Sequence, residues 1–83
     1  MSFSISFDKE VVKYLESLPL NISERIINKF EDIKENPFRY IEHYEGKYYK
    51  IRIGDYRALI DIDYQRKILF IRIIDKRGRV YKR

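Results

Sequence analysis

Around the dipeptide Gly54-Asp55 the chain places Lys50, Arg52 and Arg57, with Tyr48 two residues before Lys50 and Phe70 and Arg72 further along. These side chains can hold and polarise a phosphate. Arginine presents a planar fork to phosphate oxygens, and lysine acts as a point charge or titrates. Aromatic rings beside cations suit stacking on nucleobases. Cations aimed at a phosphorane-like transition state stabilise it electrostatically, often the largest catalytic term. A tyrosine beside several cations has its pKa drawn down toward use as a base. RNA brings its own nucleophile, the 2′-hydroxyl. A cationic site can therefore cleave RNA without a metal, and has little means to cleave DNA.

Other chemistries lack their residues. The chain holds no cysteine and one histidine, His43. A thiolate zinc site, a cysteine nucleophile, a disulfide framework and a two-histidine acid/base pair are excluded together. His43 falls in a connector and reads as a surface or structural residue. No metal-ligand spacing, glycine-rich phosphate loop or paired-carboxylate pattern occurs. The carboxylates of the N-terminal half sit at exposed helical positions, where i,i+4 pairing explains them. No cofactor and no metal are expected.

The charge is segregated. Residues 1–46 carry six Lys/Arg against nine Asp/Glu, while residues 47–83 carry twelve against four, so a net charge of −3 is followed by one of +8. A basic half on an acidic scaffold predicts a polyanion-binding face. The 83 residues suffice for one domain spanning 1–83. No apolar run is long enough to cross a bilayer, and the N-terminus lacks a basic-then-apolar secretory pattern. A cytoplasmic protein without a membrane partner is expected.

The elements that must position these cations follow from periodicity. Ser2 to Phe7 alternates as a half-buried strand. Asp8 then offers an N-cap, Val11, Tyr14, Leu15 and Leu18 stripe a first helix, and Pro19 stops it. Asn21 and Glu24 read as a capping box for a second helix with Ile22, Ile26, Phe30 and Ile33 on one face. Asn36-Pro37 ends that helix. Residues 37–47 are expected as a connector. Tyr48 to Ile53 and Tyr56 to Asp63 read as a hairpin about Gly54-Asp55, with glycine first in a type II′ turn. A turn over Tyr64 to Lys67 leads to a strand Ile68 to Ile74, and residues 79–82 are expected as a short edge strand. The fold class is α+β: an N-terminal strand, an antiparallel helix pair, and a C-terminal antiparallel meander of three to four strands with both helices on one face.

Registering the hairpin from its turn sets Ile53 opposite Tyr56, Arg52 opposite Arg57, Ile51 opposite Ala58 and Lys50 opposite Leu59. A second turn centred on Gln65-Arg66 sets Ile62 opposite Leu69, Ile60 opposite Ile71 and Ala58 opposite Ile73. One face is then Ile51, Ile53, Ala58, Ile60, Ile62, Leu69, Ile71 and Ile73, which must pack under the helices. The other is Tyr48, Lys50, Arg52, Arg57, Leu59, Asp61, Phe70 and Arg72. Like charges directly across a ladder are destabilising. Four cations against one carboxylate, Asp61, are poorly explained by folding and well explained by a polyanion.

The segment Tyr49-Lys50-Ile51-Arg52-Ile53-Gly54-Asp55-Tyr56-Arg57-Ala58-Leu59-Ile60 resembles the K-[IL]-R-x-G-[DN]-Y-R hairpin of the RelE/ParE toxin superfamily. Lys76-Arg77-Gly78-Arg79-Val80-Tyr81 resembles its C-terminal H-R-x-x-x-Y element, with Lys76 where the family usually has histidine. No extra C-terminal helix follows, as it does in some members. The order of elements fits as well. The resemblance to the RelE branch implies a ribosome-dependent endoribonuclease, an mRNA interferase that cleaves mRNA by 2′-hydroxyl attack and inhibits translation. It implies that Lys50, Arg52 and Arg57 hold the scissile phosphate, that Arg77 assists the leaving group or transition state, and that Tyr81 orients or deprotonates the 2′-hydroxyl. In the resulting expectation Lys50, Arg57, Arg77 and Tyr81 are catalytic, and Arg52, Arg72, Arg79 and Tyr48 bind RNA. The implied partners are the ribosome, mRNA and a cognate acidic, RelB-like antitoxin in a toxin–antitoxin hetero-oligomer. Two other readings stay open: a ParE-like inhibitor of DNA gyrase, and a non-catalytic RNA- or ribosome-binding module.

Overall fold

The computed structural model describes residues 2–76. β1 (Ser4–Phe7) leads into α1 (Lys9–Ser17) and α2 (Leu20–Ile33). A short 3-10 turn at Pro37–Arg39 then precedes β2 (Ile41–Glu45), β3 (Tyr48–Ile53), β4 (Tyr56–Asp63) and β5 (Ile68–Lys76). The architecture is α+β, with one mixed sheet in the order β1-β5-β4-β3-β2. β2 to β5 form the antiparallel meander, and β1 lies parallel to β5 at the edge.

The helices form where the apolar stripes recur. Asp8 is the N-cap of α1 as expected, but its side chain caps nothing. α2 starts earlier than the capping box predicts. Pro19, at φ −54, is its N-cap, and Asn21 and Glu24 make no cap bond. The Pro19 carbonyl accepts the N–H groups of Ile22 and Ser23 instead. Proline's preset φ suits a helix entrance, so the first turn closes without help from a side chain.

Val11, Leu15, Ile26, Phe30 and Ile33 from the helices pack on Phe3, Ile51, Ile53, Ala58, Ile60, Leu69, Ile71 and Ile74. Phe30 and Phe7 meet edge to face, with ring centres 5.7 Å apart. This layer turns one side of the sheet into core and leaves the other free of helices.

Both turns follow their sequence. Gly54 has φ 59, and Asp55 stays out of the left-handed region, the combination of a type II′ turn. The Tyr64 to Lys67 turn closes with Lys67 at φ 57. Asp63 pins it, accepting from the Arg66 N–H at 3.0 Å and its Nε at 2.9 Å.

Two expectations need correction. Residues 37–47 are more than a connector, because β2 pairs antiparallel with β3 there, with a register shift between His43 and Glu45. That irregularity breaks the alternation by which a strand is read from sequence. The second correction concerns β5. Ile62 faces Leu69 and Ile60 faces Ile71 as expected, but Ala58 faces Ile74, not Ile73. The register shifts between Leu59 and Ile60, and Arg72 is the extra residue of a β-bulge. Beyond it the parity of β5 inverts. Ile74 enters the core at 5% exposure, and Ile73 moves to the outer side opposite Leu59. The expected edge strand at residues 79–82 lies outside the described residues, and β2 supplies the fourth strand of the meander.

The Arg66 backbone N–H and then its guanidinium hold the Asp63 carboxylate below the usual range. With the folded-state pKa depressed, this stabilisation is present above the unfolded value of about 3.9 and is lost as pH falls through the folded-state value. Asp63→Asn should therefore lower the melting temperature at neutral pH. The two proteins should converge in melts once the pH has fallen below the carboxylate's folded-state value. A pH-independent gap would contradict this account of the turn.

Candidate phosphate-binding site

β3 and β4 place the cations by parity. Arg52 and Arg57 are direct cross-strand partners, and Lys50 faces Leu59 one step along the same face. Their inward neighbours Ile51, Ile53 and Ala58 are all buried, which fixes the strands' facing and turns the charged set away from the helices.

Arg57 is the unusual member. It is 8% exposed, and its Nη1 donates to the Tyr56 carbonyl at 3.3 Å. Among the described residues no carboxylate pairs with it or with Arg52. A buried guanidinium loses solvation that a neutral carbonyl only partly returns, and Arg52 across the ladder adds repulsion. An anion placed between the two would relieve both terms. A phosphate fits this fork-shaped pair of donors.

The face divides into two groups. Arg72 Nη1 meets Asp8 at 3.0 Å and its Nη2 meets Asp61 at 3.5 Å. Its guanidinium also lies 4.6 Å from the centre of the Phe70 ring. Lys47 approaches Asp61 at 3.6 Å and lies over the Tyr48 ring at 5.8 Å. Tyr48 faces Asp61 and therefore belongs to this second group. It stands four residues from Arg52 along β3, about 13 Å at strand rise. The structure thus brings Lys50, Arg52 and Arg57 together. Arg72 and Tyr48 lie apart, with Arg72 neutralised by two carboxylates. Arg77, Arg79 and Tyr81 lie outside the described residues.

The expectation of a single carboxylate on this face also fails. β2 sets Glu42 opposite Lys50. The inverted parity of β5 brings Asp75 opposite Arg57 in the ladder, where one of its oxygens accepts the Lys76 N–H. Asp75 was missed because the β5 bulge shifts it from simple alternation, and Glu42 because β2, interrupted after His43, was expected as a connector. The β-prone residues Ile41 and Tyr44 were the available signal for β2. His43 is structural, its Nε2 lying 2.8 Å from the Gly46 carbonyl and its ring edge-on to Tyr49 at 5.6 Å.

This constellation on this fold can be set beside known proteins. A family model described as the ParE toxin of type II toxin–antitoxin systems matches residues 5–81. The chain belongs to the RelE/ParE toxin family. A Methanocaldococcus jannaschii protein described as toxin RelE1 is 30% identical over 88 residues, covering 99% of this chain and 98% of its own. Among solved structures, RelE in the archaeal RelE–RelB complex of Pyrococcus horikoshii is 26% identical, with a TM-score of 0.77 over 95% of this chain and 99% of that one. A chain of the RelBE2 toxin–antitoxin complex of Mycobacterium tuberculosis shares the fold, with a TM-score of 0.84 at 23% identity, over 93% of this chain and all of its own. The toxin described here is therefore a type II toxin–antitoxin toxin of the RelE/ParE family. No helix among its described residues is long and apolar enough to cross a membrane.

If Arg57 is a buried cation without a carboxylate partner, replacing it with an apolar residue of similar length removes a penalty. Arg57→Met should hold or raise stability, by about 1 kcal/mol in line with buried-charge replacements, with the gain largest at low salt. Thermal melts across salt concentrations check this. A clear loss of stability at every salt concentration would refute the reading.

Proposed function

We propose that this toxin is a ribosome-dependent endoribonuclease that cleaves mRNA and so inhibits translation. The observation that supports it best is Arg57: a buried guanidinium, facing Arg52 across the ladder, with no carboxylate partner among the described residues. In this reading Lys50, Arg52 and Arg57 hold the scissile phosphate and stabilise the charge that builds on its oxygens. The 2′-oxygen attacks phosphorus and its proton passes to a base. The bond from phosphorus to the 5′-oxygen breaks, and that oxygen takes up a proton as it leaves. The products are a 2′,3′-cyclic phosphate and a 5′-hydroxyl, and no metal or cofactor enters the scheme. By resemblance, Tyr81 orients or deprotonates the 2′-hydroxyl, Arg77 assists the leaving group or transition state, and Arg79 contacts RNA. Arg72 and Tyr48 are better placed to hold the far end of the sheet face together than to touch the reacting phosphate.

The complex of a similar toxin with RelB supports a RelB-like antitoxin as partner in a hetero-oligomer, and the cationic face described here would be complementary to an acidic segment of it. Ribosome and mRNA place the activity in the cytoplasm. The match to the ParE description favours a second reading, inhibition of DNA gyrase by binding. Such a protein needs no catalytic tyrosine.

Purified toxin added to translating ribosomes should cut mRNA, and Arg57→Ala should lower the rate about 100-fold or more, as losing one transition-state donor does. Tyr81→Phe should slow it as well. Intact mRNA beside active ribosomes, or undiminished cutting by both variants, would overturn the proposal. Full toxicity of Tyr81→Phe with inhibited gyrase would establish the second reading instead.

A further inference from the structure

A groove of about 560 Å³ runs along the flank of α2 and is bordered by Arg25, Asn28, Lys29, Asp32, Arg52, Ile53 and Gly54. Three of these residues are cations and one is a carboxylate. Arg25 and Lys29 are one helical turn apart, so they share a face of α2. That face is not the packed one, which carries Ser23, Ile26, Phe30 and Ile33. Arg25, Lys29 and Arg52 form no ion pair within 4 Å among the described residues, and Asp32 is the one carboxylate against these three cations in the groove. Lys29 lies 4.8 Å from the centre of the Tyr40 ring, which is itself 37% exposed. Pairing of β2 with β3 stops at Ile51, so β2 does not cover the end of β3, where Arg52 is exposed while Ile53 stays in the core.

Arg52 belongs to two surfaces at once. It faces Arg57 in the ladder and borders this groove. Cationic surface therefore continues from the outer face, around the Gly54 end of β3, to the flank of α2. We propose that this groove binds the backbone phosphates of single-stranded RNA flanking the bond held at Arg57. The inference extends the nuclease reading to a second phosphate subsite built from Arg25 and Lys29. Continuity through Arg52 favours a strand that runs through both surfaces over an isolated acidic peptide. The exposed Tyr40 ring beside Lys29 offers a surface for a base.

The test is equilibrium binding of the purified toxin to single-stranded oligonucleotides, without ribosomes, across a salt series. The probes are a 4-nucleotide and a 12-nucleotide RNA, the 12-nucleotide strand in 2′-deoxy form, and an oligoglutamate peptide. The 12-mer should bind at least tenfold more tightly than the 4-mer, and Arg25→Ala/Lys29→Ala should abolish most of that advantage. The double variant should also flatten the slope of log affinity against log salt by about 1.4, two phosphate contacts on a single strand. The 2′-deoxy strand should behave alike, because phosphate alone is read. Circular dichroism confirms that the variant is folded, and Arg25→Lys/Lys29→Arg should restore the length effect. An unchanged length effect and slope in a folded double variant overturns the proposal. So does Arg25- and Lys29-dependent binding of oligoglutamate tighter than that of the RNA. Because binding is read without cleavage, a toxin that cuts no mRNA yet shows the length effect would sink the nuclease reading and leave this groove standing.

Discussion

The two-residue alternation of β3 and β4, held in register by the Gly54 turn, is the constraint on which the site depends. Ile51, Ile53, Ala58 and Ile60 can reach the core only if Lys50, Arg52 and Arg57 point the other way. A slip of one residue would exchange the two sets, burying three cations under the helices and exposing the isoleucines. The hydrophobic effect acting on one side of the ribbon thus collects charge on the other. The fold concentrates the cations as a consequence of hiding its apolar side chains, and no attraction between them is required.

The same geometry sets stability against function. Arg57 and Arg52 face each other, and Arg57 is nearly buried. Without a ligand this is an unfavourable arrangement. Two rows along, Arg72 shows the alternative solution, with Asp8 and Asp61 taking up its charge at a position made by the β5 bulge. The contrast between a cation tied to carboxylates and one that makes no ion pair among the described residues separates scaffold from candidate site on a single sheet face.

Much of this was legible in the sequence, and for definite reasons. Gly54-Asp55 is a turn signal with one register, and the isoleucine alternation on both sides agrees with it, so the Arg52–Arg57 pair follows from the chain alone. The helix stripes at Val11 and Leu15, and at Ile26, Phe30 and Ile33, place the covering layer equally well. What failed were the places where alternation is interrupted. The bulge at Arg72 moved Ile73 out and Ile74 in, carrying Asp75 to the site face. The irregularity in β2 hid a strand, and with it Glu42 beside Lys50. A bulge leaves no local mark in composition, because its extra residue is chosen by long-range pairing. The contribution of α2 through Arg25 and Lys29 was invisible for a related reason. Charges on the solvent side of a helix read as solubility until a neighbouring strand end makes a groove of them.

The central claim is that the Arg57 guanidinium awaits an anion. Side-chain nitrogen NMR of the arginines, during titration with a 2′-O-methylated RNA trinucleotide that cannot be cleaved, addresses it directly. The account predicts that the Arg57 Nε–H resonance shifts first and saturably together with that of Arg52, while Arg72, already held by Asp8 and Asp61, stays in place. Perturbation confined to Arg72, or an Arg57 resonance unmoved at saturation, would contradict it.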